Sequence, residues 1–248
     1  KNYNNKSTMK QENWYDVVTA RGGDFSLSNA FPILMRKVFV WMTLALAITG
    51  ITAYGVASSP ALVGMIFSSK VMFWGLIIAE FGLVMAISGA INRLSLATAT
   101  LLFILYSVVN GATLSVIFLA YSTTVIAKTF FITAGTFGAM ALVGYTTKTD
   151  LTSIGKLLFM ALIGIIIASV VNIFVGSSGL DLIISYVGVL VFVGLTAYDT
   201  QKIKEMCRMA PDAGESMQKL ALLGSLSLYL DFVNLFLYLL RIICNNKD

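Results

Sequence analysis

Residues 220–243, LALLGSLSLYLDFVNLFLYLLRII, place one acid, Asp231, in the middle of a long apolar run. A helix crossing a hydrocarbon core about 30 Å thick needs roughly 20 mainly apolar residues, and this stretch supplies them. Within it Gly224, Ser227, Asp231, Asn234, Tyr238 and Arg241 recur at steps of three and four, so they share one helical face. Such a stripe is costly against lipid and belongs toward other helices or a water-filled path. Helix packing alone accounts for the glycine and serines. It accounts poorly for an aspartate, an asparagine and an arginine on the same stripe.

The rest of the chain has the same character. Of 248 residues 58% are hydrophobic and 12% charged, with mean hydropathy +0.86, whereas a soluble domain averages about a quarter charged. The net charge of +5 sits in short clusters between long apolar runs, a pattern that suits orientation in a bilayer rather than nucleic-acid binding. There are two cysteines and no histidine, which excludes histidine catalysis, histidine pH switching and a Cys/His zinc site.

Six further apolar runs precede the first, at about 37–57, 71–90, 95–121, 125–145, 154–174 and 182–199. They are continuously apolar rather than alternating, which excludes barrel strands. The chain therefore reads as an all-α membrane protein: seven transmembrane helices in residues 36–248, preceded by a polar tail, 1–35. The tail lacks the basic-then-apolar order and small-residue cleavage site of a signal peptide, and reads as cytoplasmic.

Basic residues set the orientation. Arg21, Arg36, Lys37, Arg93, Lys148, Lys156, Lys202, Lys204, Arg208 and Lys219 fall on one side, against Lys70, Lys128, Arg241 and Lys247 on the other. This places the N-terminus in the cytoplasm and the C-terminus outside. Cys207 and Cys244 then lie on opposite sides, where no disulfide joins them.

Three acids fall within spans: Glu80, Asp199 and Asp231. A carboxylate there costs about 2.5 kcal/mol or more on insertion scales, so each is a candidate functional residue, with a packing hydrogen bond as the competing account. Spans six and seven are neighbours in sequence and form an antiparallel hairpin. Asp199 and Asp231 are equidistant from position 215, beside the turn-forming Pro211, Asp212 and Gly214. If helix six continues past Thr200 toward Met209, the two carboxylates are level, about 24 Å from the apex. Two carboxylates in contact do not both ionise easily and titrate as one unit. Arg93, in the turn after span two, is long enough to reach such a pair, and a hard cation such as Ca²⁺ prefers oxygen ligands of this kind.

GLTAYDTQKIKEM (194–206) and LSLYLDFVNLFLYLLR (226–241) resemble the signature of the Bax inhibitor family, the transmembrane Bax inhibitor motif proteins. So do IIAE with FGLVMAISGAINRLS (77–95), LLFILYSVVNGATLS (101–115) and FGAMALVGYTTKTDL (137–151). The resemblance covers about 35–243 and points to a bacterial-type member in the inner membrane. It implies a seventh helix surrounded by the other six, and a pH-sensitive calcium leak gated by an aspartate pair that maps onto Asp199 and Asp231. Arg93 matches an arginine that latches the closed pair. Glu80 and Arg241 match further polar positions of the family; with Asn234 and Tyr238 they are the expected supporting residues. The segment 204–219 is longer than in compact members, so the level placement of the two acids depends on both helices extending into it.

The expected cargo is Ca²⁺, held transiently by Asp199 and Asp231, with no cofactor, no nucleic acid and the bilayer as the surrounding partner. A second reading is a regulator of a membrane protease or death-related protein, with the tail and the basic loop as docking surfaces. An intramembrane aspartyl protease would place Gly-x-Gly before its second Asp; Leu228, Tyr229 and Leu230 stand there instead, so an enzyme is not expected. The last span has no lysine for a retinal Schiff base, and no GxxxxGK[ST] loop supports nucleotide-driven pumping.

Overall fold

The computed structural model describes residues 14–245, with side chains from residue 30 onward. The polar segment 1–13 and Lys247 lie outside the described residues. Eight helices follow one another: α1 (Trp14–Ala57), α2 (Pro60–Phe67), α3 (Lys70–Ala90), α4 (Leu96–Ala120), α5 (Thr123–Thr146), α6 (Thr152–Val175), α7 (Ser178–Arg208) and α8 (Glu215–Asn245). Seven are long and apolar enough to cross a membrane, in α1 from Ala30 onward. No strand occurs among the described residues. The short α2 is the one element beyond the seven expected. α1 begins at Trp14, inside the stretch read as a tail, and carries Pro32 within it.

Local chemistry sets the ends. Ser59, Ser69, Ser95 and Ser177 precede α2, α3, α4 and α7 in extended backbone, and each hydroxyl accepts from an amide of the first turn. α6 stops at Gly176, whose φ of +66° is the left-handed conformation that glycine adopts without strain. Ahead of α6, Asp150 accepts from the Thr152 amide at 2.8 Å. Bonding from the Thr152 hydroxyl and amide holds its carboxyl below the usual carboxylate range. This bond to Thr152 is therefore intact at neutral pH and is lost only as the pH falls through that lowered value.

α7 runs on to Arg208, as the equidistance of the two acids requires, and α8 starts at Glu215. At 31 residues each they are about 46 Å long, so they outreach the hydrocarbon core and project at the end bearing their turn. That end is the turn side here, and the end where α8 finishes is the tail side. Cys207 and Cys244 close α7 and α8 at opposite ends of the hairpin, beyond disulfide reach.

α8 is the most buried span: 61% of its apolar stretch is covered, against 6% for α3 and α6. It packs on α7, α1, α5 and α4, while α3 lies chiefly against α4 and α6 against α7. The surroundings of α8 thus resolve into four inner helices and two outer ones, rather than an even ring of six.

Lipid tails are as apolar as leucine, so helices in a bilayer associate through close backbone approach and polar contacts. Gly111 of α4 lies against Thr49 of α1, where a Cβ would come 2.6 Å from the Thr49 carbonyl oxygen. Gly144 of α5 abuts Ala197 of α7 still more tightly, and a Cβ there would run into the Ala197 carbonyl oxygen. Gly144→Ala is expected to cost about 1–3 kcal/mol through forced separation of α5 and α7. Gly135→Ala, on the same helix but facing open space, is expected to be neutral or mildly stabilising. Unfolding both variants in detergent micelles checks the contrast.

Candidate functional site

The polar stripe of α8 faces α7 along its whole length. Gly224 sits against Ile203, and Tyr238 lies across Gly188 and stacks on Phe192 with ring centroids 5.9 Å apart. Arg241 Nη1 lies 3.1 Å from Asp181 Oδ1. Asp231, between these contacts, is 4% exposed. Asp199 of α7 lies near enough for the two carboxyl charges to act on each other. Asp231 Oδ2 is buried and has no hydrogen-bond partner among the described residues.

Two cavities flank this point. On the turn side, about 290 Å³ of space lies between α3, α7 and α8, lined by Ser88, Asp199, Lys202, Met206, Ser227 and Leu230. On the tail side, about 320 Å³ lies between α6, α7 and α8, with Ser169, Asn172, Asp181, Asn234, Tyr238 and Arg241 in its wall. Asp231 lines neither. It occupies the closed stretch of seam between Ser227 and Leu230 on one side and Asn234 on the other. Asn234 donates Nδ2 to the Leu230 carbonyl at 2.8 Å, which fixes its side chain across the tail-side cavity.

Glu80 lies elsewhere. Asn110 Nδ2 donates to Glu80 Oε2 at 3.3 Å, with Thr113 beside the carboxylate. The Tyr229 hydroxyl donates to Asn110 Oδ1 at 2.9 Å and is 2.7 Å from Thr49 Oγ1, which in turn reaches the Ser107 carbonyl at 3.0 Å. This chain ties α1, α3, α4 and α8 together around the fully buried Tyr229, two residues from Asp231. Glu80 thus belongs to a network beside the pair rather than to the seam.

Arg93 occupies the α3–α4 turn with its side chain exposed, and no ion pair among the described residues includes it. The charged neighbour of Asp199 is instead Lys202, one helical step along α7, its Nζ 5.9 Å from the centre of the Tyr198 ring. The turn carrying Arg93 is nonetheless tied to α8: Leu96 N donates to Glu215 Oε1 at 2.9 Å, and Lys219 Nζ to the Leu94 carbonyl at 3.0 Å. The α5–α6 turn is held to α7 in the same manner. Gln201 accepts from Leu151 N and donates to the Thr149 carbonyl, both at 2.8 Å, and Lys204 Nζ donates to the Tyr145 carbonyl at 2.8 Å. The projecting ends of α7 and α8 therefore anchor two turns of the bundle.

Sequence reasoning passed over Asp181, Lys202, Asn110 and Thr49. Lys202 was findable at i+3 from Asp199. Asp181 stands just before the run assigned to span six, and its pairing with Arg241 needs the hairpin folded. Asn110 and Thr49 are ordinary span residues until Tyr229 brings them together.

A bundle of seven apolar helices with an acid pair on its innermost seam defines a polytopic integral membrane protein. The family described as "Inhibitor of apoptosis-promoting Bax1" matches residues 32–248, and the chain belongs to this Bax inhibitor family. It is 50% identical over 214 residues to the inner membrane protein YbhL of Escherichia coli (strain K12), covering 86% of this chain and 92% of that one. A protein of Borreliella burgdorferi is 51% identical with the same coverage. A membrane protein of Streptococcus pyogenes serotype M6 is 35% identical over 231 residues, 93% of this chain and 99% of its own.

Removing the Tyr229 hydroxyl isolates the role of the network. Tyr229→Phe is expected to lower stability by about 1–3 kcal/mol, because Asn110 Oδ1 and Thr49 lose a buried partner. Denaturation in micelles, compared with Tyr54→Phe on the exposed surface, measures it.

Proposed function

We propose that the chain is a pH-sensitive calcium leak of the bacterial inner membrane, closed at the Asp199–Asp231 pair. The observation that carries this reading is the position of Asp231: a buried carboxyl with an unpartnered oxygen, on the stretch of seam that separates two cavities. Glu80 Oε1, in the neighbouring network, is likewise buried without a partner among the described residues, so it is the place of Asp231 on the seam between the cavities, and not the open oxygen alone, that sets it apart. An aspartate that exchanges a proton for a cation is expected to keep an oxygen available.

The chemistry follows from the charges. Ca²⁺ takes oxygen ligands, carboxylates above all, and gives up water for them readily. When both carboxylates ionise, their mutual repulsion opposes closure of the seam and attracts a dication. Protonation removes both effects. Two carboxylates are too few for tight residence, and no cluster of three or more acidic, His or Cys residues is found among the described residues. That donor set suits passage rather than storage. We read the chain as a conduit rather than an enzyme.

Orientation in this reading follows the basic residues. The turn side, with Arg93, Lys148, Lys202, Lys204 and Arg208, faces the cytoplasm, and the end of α8 faces outward. Membrane assignment follows the likeness to YbhL. Arg93 is proposed to offset the repulsion of the ionised pair in a second, closed state, in which the α3–α4 turn swings inward over the Ser88 wall of the cavity and the guanidinium latches the pair. In the state described here it is disengaged.

The test is Ca²⁺ flux in proteoliposomes from pH 6 to 8. Asp199→Asn and Asp231→Asn are each expected to abolish the pH dependence; an unchanged pH response in both sinks the reading. Arg93→Ala is expected to raise resting leak. Equal leak from wild type and variant across that range removes the latch from the mechanism and leaves the pair.

A further inference from the structure

We infer that the tail-side cavity is a second cation site, and that Arg241 is its tethered counter-ion, occupying the position a divalent cation takes in transit. The inference rests on the leak reading and extends it to the far end of the seam.

The wall of this cavity supplies oxygens. Asp181 contributes a carboxylate, Ser169 and Tyr238 hydroxyls, and Asn234 its Oδ1, since its Nδ2 is committed to the Leu230 carbonyl. Asn172 is committed differently: its Oδ1 accepts from Ser177 N at 3.1 Å and so holds the α6–α7 turn. A hard divalent cation is the ligand class that such a set of oxygens with one carboxylate recognises.

That carboxylate already has a cation. Arg241 Nη1 bonds Asp181 Oδ1 at 3.1 Å, and the guanidinium lies over the Tyr238 ring, 5.8 Å from its centre. Both charged side chains remain two-fifths exposed, so the pair is not sealed inside the bundle. A half-exposed ion pair is weakly held against water, which makes the arginine displaceable. With Arg241 in place, the cavity carries no net negative charge, and an entering dication meets a positive group ahead of Asp231. With Arg241 swung out, Asp181 faces the cavity alone.

This arrangement predicts effects of opposite sign from the two halves of one ion pair. A purely structural pair loses the same contact whichever partner is removed, so both variants shift stability and flux alike. A counter-ion at a cation site does not. Arg241→Gln is expected to raise Ca²⁺ flux at least about threefold by leaving Asp181 unopposed, and Asp181→Asn to lower it comparably by leaving Arg241 unopposed. Arg241→Lys keeps the charge and is expected to stay near wild type.

The second readout is binding of Tb³⁺, whose luminescence is sensitised by a nearby tyrosine, to the full chain in micelles. Arg241→Gln is expected to raise the signal, and adding Asp181→Asn or Tyr238→Phe to it to remove the gain. The inference is overturned if both single variants move flux in the same direction, or if Arg241→Gln brings no Tb³⁺ gain. A protein that passes no Ca²⁺ in any variant overturns the leak reading instead, and the Tb³⁺ signal alone then upholds or overturns the site.

Discussion

Asp231 places a carboxyl group at the middle of the most buried helix, and a bilayer offers no water to solvate it there. The stripe on which it stands must therefore be covered by protein from end to end. The partner is α7, which meets it with Ile203, Asp199, Gly188 with Phe192, and Asp181 in register. The hairpin of α7 and α8 is in this sense the protein, and the remaining spans are arranged to enclose it. α1, α4 and α5 close the other faces of α8, while α3 and α6 form outer walls, each contributing to one of the two cavities.

The two long helices also organise what lies beyond the hydrocarbon. Since α7 and α8 outreach the bilayer, Gln201, Lys204, Glu215 and Lys219 stand where they bond the backbone of neighbouring turns. A shift of α8 relative to α7 would therefore carry the α3–α4 turn with one helix and the α5–α6 turn with the other. Changes at the acid pair and movements of the turns bearing Arg93 and Lys148 are mechanically linked by these bonds, with no need for a separate relay.

Much of this was legible in the chain. Span number and limits follow from continuous apolar runs, because a bilayer imposes its thickness on every one of them; the largest differences are α7, which continues through Thr200–Arg208, and α1, which begins far upstream. The facing of the α8 stripe follows from helical periodicity, and the level placement of Asp199 and Asp231 from their equidistance about position 215. What periodicity does not convey is which helix supplies a partner. Arg241 reads as one more orienting charge until Asp181 is seen opposite it. Glu80 reads as a lone intramembrane acid until Asn110 and Tyr229 close around it. Arg93 shows the converse: its length and place in the turn suggest reach to the pair, yet in the structure its side chain is exposed and makes no ion pair among the described residues.

The composition finally explains why carboxylates hold the decisive positions. A chain without histidine has no side chain that titrates between pH 5 and 8 at its ordinary pKa, so proton sensing near neutrality falls to a group displaced by its surroundings. A carboxyl group also differs from imidazole in what its deprotonated form attracts. Imidazole becomes neutral and suits softer metals, whereas carboxylate becomes negative and suits hard cations. In the proposed leak the Asp231 carboxyl serves as proton acceptor and cation ligand in turn, so that proton and Ca²⁺ compete for one position. That position stands between two cavities, with Lys202 in the wall of one and the Arg241–Asp181 pair in the wall of the other. In the proposed leak, Lys202 and Arg241 would set how much negative charge each chamber offers, and so from which side the seam is first charged.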